Sequence, residues 1–335
     1  MKSLHIRTEV PINPSDWKIN YQTPVMTLGS CFAEVLGRQL TGYKLPVLNS
    51  PFSTMFNPYS IAKLLTMALE NSRPHEELYT RNADGIWLHY DFHSSFWAES
   101  REALEQQLLG TLAQVREFLN SSEVLVVTFG TAYVYRYKKN ISLVANCHKT
   151  PQSEFVKELL GYEQLLNLWG ELLRKLKRKR KVILTVSPVR HTRDTLPLNQ
   201  VSKSVLRLLC HRLTEQFPNV SYFPSYELML DDLRDYRFYK DDLIHPSTWA
   251  EDYIFQKFAE TYLDDSVGEV MEEWDSVRKM LAHRPQHGPT ESYRLLLENI
   301  KTRLEKLSET LPAGEELQQI ADKLAEFPGA GKLNR

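Results

Sequence analysis

Three stretches of the chain are almost unbroken runs of apolar residues that stop at glycine, proline or a small polar residue: PVMTLGSC (Pro24–Cys31), EVLVVTFG (Glu123–Gly130) and KVILTVSP (Lys181–Pro188). Such runs, bounded by turn formers, predict strands buried on both faces, as in a parallel sheet covered by helices. Between them the period changes. FAEVLGRQL places Phe32, Val35, Leu36 and Leu40 on one helical face, so the first strand turns sharply into a helix at Gly29. Helical patterns also fill Arg101–Asn120, the segment before Lys181 that ends in the basic run RKLKRKRK, and Asn199–Gln216, while TAYVYRY and ISLVAN read as β-structure. A short strand at Val220–Phe223, a helical stretch from Ser225 and a helix begun by Pro246 and running to Phe258 complete the pattern. Strands alternating with helices predict a doubly wound α/β domain. After Asp265 the strand signal ends, and SVGEVMEEWDSVRKML, ESYRLLLENIKTRLEKL and GEELQQIADKLAEF predict three charged amphipathic helices. The expected division is therefore a core over residues 1–265 and a helical extension over 266–335, placed to pack on the core or to form a homodimer, with a frayed PGAGKLNR tail.

Composition narrows the classes. The 335 residues are 42% hydrophobic, 11% aromatic and 25% charged, an ordinary globular mixture, and no stretch approaches the ~20 consecutive apolar residues of a membrane helix. Lys plus Arg (41) almost cancels Asp plus Glu (42), which gives no footprint for nucleic acid or an anionic membrane. Cys31, Cys147 and Cys210 are an odd number at long spacings, without a disulfide or CxxC pattern, and the N-terminal twenty residues carry charges and prolines where a signal peptide needs an apolar core. Both features point to a reducing, cytoplasmic setting. Nothing in the sequence calls for a cofactor.

Two local patterns carry chemistry. Gly29-Ser30-Cys31 sits where a strand enters a helix, and backbone N–H groups at a helix N-terminus favour a thiolate or an oxyanion there; the plainer alternative is that Ser30 caps the helix and Cys31 is a small buried hydrophobe. Asp242 and His245 form a D-x-x-H pair in RFYKDDLIHPSTWAEDYIFQKF, where a carboxylate beside an imidazole can fix its tautomer and support its protonated form. Cys147, His148, His191 and Cys31 match no usual zinc spacing. Trp87, His89, Asp91, His93 and Trp97 form either a substrate wall or a structural cluster, and Arg237 is placed to pair with Asp231, Asp232 or Asp235 or, alternatively, to bind an anionic substrate group.

In order along the chain, LGSCFAEVLG (28–37), TFGTAYVYR (128–136), ANCHKTP (145–151), LTVSPVRHTRD (184–194), LNQVSKSVL (198–206) and YFPSYELMLDDLRDYRFYKDDLIHP (222–246) resemble the signature blocks of the bacterial GSCFA family, which belongs with the SGNH, or GDSL-like, hydrolases. The resemblance implies a three-layer α/β/α esterase-type fold with a mostly parallel sheet. It also implies a nucleophile at Cys31 or Ser30, with His245 as base and Asp242 orienting it. The oxyanion glycine of that superfamily would fall at Ser53, and its oxyanion asparagine is missing after Gly130, so Thr131 or Asn146, the latter beside His148, would stand in. The activity implied is hydrolysis or transfer of a small acyl group, such as acetyl, on a carbohydrate or other small alcohol, through an acyl-enzyme. The alternative is a relative that has lost catalysis and binds a ligand or partner.

Overall fold

The computed structural model describes residues 8–121, 123–176, 179–283 and 290–327. The PGAGKLNR tail and two residues of the RKLKRKRK run lie outside them. Two compact units result. The first comprises Thr23–Gln39, Val47–Thr261 and the described residues up to Pro14; the second comprises Ser15–Gln22, Leu40–Pro46 and the described residues from Tyr262 on.

In chain order the elements begin with β1 (Val25–Gly29), α1 (Cys31–Gly42), β2 (Val47–Thr54), α2 (Pro58–Glu70), a β3–β4 hairpin (Tyr79–Arg81 and Trp87–His89) and α3 (Arg101–Ser121). There follow β5 (Val124–Phe129), β6 (Tyr133–Tyr137), β7 (Leu143–Val144), β8 (Phe155–Leu159), α4 (Tyr162–Lys175), β9 (Lys181–Val186), α5 (Leu196–Gln216) and β10 (Val220–Phe223). A three-residue α6 (Ser225–Glu227), which continues as a π-helical turn over Leu228–Asp232, and α7 (Thr248–Tyr262) come next. The helix after the D-x-x-H pair thus opens at Thr248 rather than at Pro246, because the Ser247 hydroxyl accepts the Ala250 N–H at 3.3 Å and caps it.

Five strands make one parallel sheet in the order β10-β9-β5-β1-β2. The three apolar runs of the sequence are its middle, with every residue of β1 and β5 buried. β2 is an edge strand, VLNSPFST, whose polar residues and proline hide it from pattern reading and suit an edge. One layer of helices runs α3 on α2, α2 on α4 and α4 on α5. On the other, α1 and α7 meet through Gln39 and Asp252, and Phe258 packs edge-on against Phe223 of β10. From β1 the chain goes to β2 on one side and then to β5, β9 and β10 on the other, so the winding reverses between β1 and β5. A crevice outside the carboxyl ends of the strands opens at such a reversal and is where ligands bind in doubly wound sheets. The antiparallel sheet β7-β6-β8 has its own small core of Leu78, Tyr90, Val144 and Phe155.

The second unit contains α8 (Asp265–Leu281), α9 (Glu291–Leu307) and α10 (Gly314–Ala325). Their apolar stripes meet around Trp274, Val277, Leu297, Ile300 and Leu304. Asp264 and Thr290 cap α8 and α9, and the Trp274 indole N–H donates to the Gly42 carbonyl at 2.9 Å. No helix among the described residues is long and apolar enough to cross a membrane.

Candidate active site

β1 ends against β5 so tightly that a Cβ on Gly29 would stand 2.0 Å from the Thr128 carbonyl oxygen, and Gly29 takes φ +129, which L side chains rarely adopt. The Ser30 N–H donates to that same carbonyl at 3.0 Å and the Met55 N–H to the Gly29 carbonyl at 2.7 Å. Ser30 is 1% exposed, and its hydroxyl accepts the Phe32 N–H at 3.3 Å, the geometry of a helix cap. Cys31 opens α1 and is partly exposed. Burial pushes its thiol up, opposed by the positive charge of Lys203 and by hydrogen bonding of the thiolate to the Cys31 and Phe32 N–H groups. Helix start and buried cation therefore both act on the sulfur in the direction of thiolate.

The D-x-x-H segment lies on the loop before α7. Asp242 Oδ2 is 2.7 Å from His245 Nδ1, while Oδ1 accepts the N–H groups of Ile244 (2.8 Å) and His245 (3.0 Å). The His245 N–H, then the His245 ring and the Ile244 N–H, hold the carboxyl far below the usual carboxylate range. An ionised carboxylate only accepts, so Nδ1 carries the proton and Nε2 is left with a free lone pair. Both side chains are well exposed, 41% and 44%. Arg190 braces the loop: its N–H donates to the Ile244 carbonyl at 3.1 Å and its Nη1 to the Leu243 carbonyl at 2.9 Å. Among the described residues no hydrogen bond joins the His245 ring to Ser30 or Cys31.

Two residues beside these carry signals that sequence reading missed. Lys203 on α5 is 1% exposed, donates to the carbonyls of Gly130 and Ser187 at 2.8 Å each, and is pushed down to about 7, chiefly by burial. Its spacing to Leu206 and Cys210 puts it on the buried stripe of the helix, a sign legible in the sequence. His191, weighed only as a metal ligand, follows β9. Its Nε2 is buried without a hydrogen-bond partner, and burial lowers its pKa to about 3, aided by Lys203, His245 and Lys157.

The expected oxyanion groups fall into separate places. Ser53 adopts φ +59, the left-handed conformation for which a glycine was anticipated, and its hydroxyl meets His93 Nδ1 at 3.1 Å. Gly130 and Thr131 follow β5 at the winding reversal, but both N–H groups donate to the Phe56 carbonyl, at 2.7 and 2.9 Å, and the Thr131 hydroxyl pairs with Ser202 at 3.1 Å. Asn146 donates from Nδ2 to the Phe92 carbonyl at 3.2 Å, and His148 Nε2 donates to the His89 carbonyl at 2.8 Å with its ring stacked on Tyr90. Those two bind the 89–92 segment rather than the Gly29-Ser30-Cys31 turn.

Of the aromatic and histidine cluster, His89 and Asp91 are buried and structural: His89 contacts the His75 carbonyl and accepts the Asp91 N–H, and Lys63 donates to Asp91 at 2.7 Å. Trp97 is 51% exposed. Arg237 lies 3.7 Å from Asp235 on its own loop. Among the described residues no group of three or more His, Cys, Asp or Glu could hold a metal ion.

The family model described as GSCFA family matches residues 24–258, and one described as GSCFA domain protein, C-terminal domain, matches residues 274–326. No curated protein matches the chain. Among solved structures, a carbohydrate esterase family 3 protein from Talaromyces cellulolyticus is similar with a TM-score of 0.34 and 9% identity, covering 75% of this chain and 99% of its own.

Proposed function

The chain belongs to the GSCFA family, and we propose that it is an SGNH-like ester hydrolase or acyltransferase working through an acyl-enzyme. The observation that carries this reading is the Asp242–His245 pair at 2.7 Å, in which hydrogen bonds keep the carboxylate ionised and direct the imidazole proton to Nδ1. Cys31 is the nucleophile we favour over Ser30, because Ser30 is buried in a capping role while Cys31 is partly exposed at the start of α1.

In the proposed reaction Sγ of Cys31 attacks the acyl carbonyl carbon as its proton passes to His245 Nε2, with Asp242 supporting the imidazolium. The tetrahedral intermediate collapses by breaking its bond to the alcohol oxygen, which takes the proton from His245. Water, or an acceptor alcohol, then attacks the thioester with His245 again as base, releasing the acid or new ester and the thiol. The Cys31 N–H at the helix start faces the developing oxyanion. We propose a small acyl group on a carbohydrate or other small alcohol; the His245 loop is flanked by Tyr236 (60% exposed), with Arg190 over its ring, and by Trp249 (57%), stacked with Phe238 and Tyr253. Three free cysteines fit a cytoplasmic setting.

A second reading, a ligand-binding relative without catalysis, is favoured by the Gly130 and Thr131 N–H groups being occupied by Phe56. Hydrolysis of p-nitrophenyl acetate separates the two. Turnover by the wild type that is lost in Cys31→Ala and His245→Ala, and reduced ~10³-fold or more in Asp242→Asn, supports the enzyme; loss in Ser30→Ala with retention in Cys31→Ala reassigns the nucleophile. Silence of all the folded proteins, the wild type included, supports the binding module.

A further inference from the structure

The superfamily pattern that this chain resembles expects a side-chain oxyanion donor, and neither Thr131 nor Asn146 points one at the nucleophile turn. His191 stands there instead. A Cβ built on Gly130 would lie 2.9 Å from the Phe56 carbonyl oxygen and 3.3 Å from both His191 Nε2 and the Ser30 Cβ, so the imidazole and the Gly29-Ser30-Cys31 turn meet at Gly130, where only a glycine fits. The loop after β9 fixes the ring: the His191 N–H donates to Asn199 Oδ1 at 3.0 Å, and Phe56 packs edge-on at 5.6 Å. The buried Nε2 has no hydrogen-bond partner, a standing cost that a substrate oxygen would remove.

Resting on the acyl-transfer reading above, we propose that neutral His191 is a catalytic residue whose Nε2–H donates to the oxyanion formed on attack by Cys31, in the role of the missing asparagine. Phe56, 39% exposed and edge-on to the ring, is the side chain that would have to turn aside for the carbonyl oxygen to reach Nε2. Two imidazoles then divide the work by environment. His245, exposed and held by a carboxylate, carries the proton; His191, buried beside the Lys203 cation, stays neutral and only donates.

The test compares wild type, His191→Phe and His191→Gln on two reactions. On p-nitrophenyl acetate, His191→Phe is expected to lose 10²–10³-fold in kcat with KM little changed, and His191→Gln, which keeps an N–H, to recover at least tenfold of that. Alkylation of Cys31 by iodoacetamide, followed by intact mass, develops no oxyanion and is expected to stay within twofold in both variants. If His191→Phe does not fold, His191→Ala takes its place with the same expectation. An active wild type with kcat unchanged in the variants overturns the role of His191 alone, and so does a parallel fall in alkylation, which marks a structural role. A wild type inactive toward the ester overturns both this inference and the enzyme reading.

Discussion

Lys203 Nζ lies 2.8 Å from the Gly130 carbonyl oxygen, in a setting where the lysine is fully buried and its ammonium is the main cation near Cys31. With its pKa pushed down to about 7, the unfolded chain binds a proton at this residue that the folded chain does not, from about pH 7 up to the ordinary lysine range. Folding stability therefore rises with pH across that window, by up to ~1.4 kcal/mol per pH unit, and this contribution is lost as pH falls through 7. Urea unfolding of wild type and Lys203→Met between pH 6 and pH 10 should give stability curves that converge or cross with this slope; parallel curves would show that Lys203 is not buried as a charge.

Cys31 has a thiol raised chiefly by burial and held back by Lys203. Its iodoacetamide labelling is expected to climb without a plateau through pH 7–9, and Lys203→Met to slow it near pH 7 with little effect at pH 9, where the wild-type lysine is already neutral. Cys210 is buried and Cys147 is pushed up to about 11, so Cys31→Ala should remove most labelling at pH 8. A labelling plateau already reached below pH 7 would contradict this assignment.

Two backbone positions respond in opposite ways to small substitutions. Gly29→Ala drives a methyl into the Thr128 carbonyl and is expected to cost at least ~3 kcal/mol, because strand backbone, not a flexible side chain, must move. Ser53 already sits at φ +59, so Ser53→Gly should be neutral or slightly stabilising, whereas Ser53→Val, β-branched at positive φ, should cost ~1–2 kcal/mol. Chemical denaturation of the three variants reads this directly; equal losses for glycine and valine at 53 would mean that the His93 hydrogen bond, not the backbone, sets the position.

The second unit depends on Trp274, 3% exposed, with its N–H on the Gly42 carbonyl and Lys44 5.5 Å over its ring. Trp274→Phe keeps the apolar contact but orphans the carbonyl, for an expected loss of ~1–2 kcal/mol, and Trp274→Ala one of ~3–5 kcal/mol. Far-UV circular dichroism melting, which does not depend on tryptophan emission, should show the order Ala below Phe below wild type.

The middle of the fold was legible because strands buried on both faces are written as continuous apolar runs, and Asp242–His245 because three residues suffice to bring a carboxylate onto an imidazole. β2 was not, since Asn49, Ser50 and Pro51 make an irregular edge: between Thr27↔Asn49 and Gly29↔Thr54, β1 advances two residues while β2 advances five. Asn146 looked like a cleft residue because it follows an apolar run, yet that run ends in β7, part of the antiparallel sheet, and its amide holds the Phe92 carbonyl. His191 gains its meaning only from strand order, which sets the end of β9 next to the end of β5. No spacing along the chain expresses that neighbourhood.

Arg190 and His191 are consecutive residues, yet one braces the carbonyls of Leu243 and Ile244 on the Asp242–His245 loop while the other overlooks Gly130 beside the Gly29-Ser30-Cys31 turn. One peptide bond thus ties the two halves of the crevice together like the pin of a pair of tongs. Neither jaw can be re-aimed by changing the β9–α5 loop without moving the other.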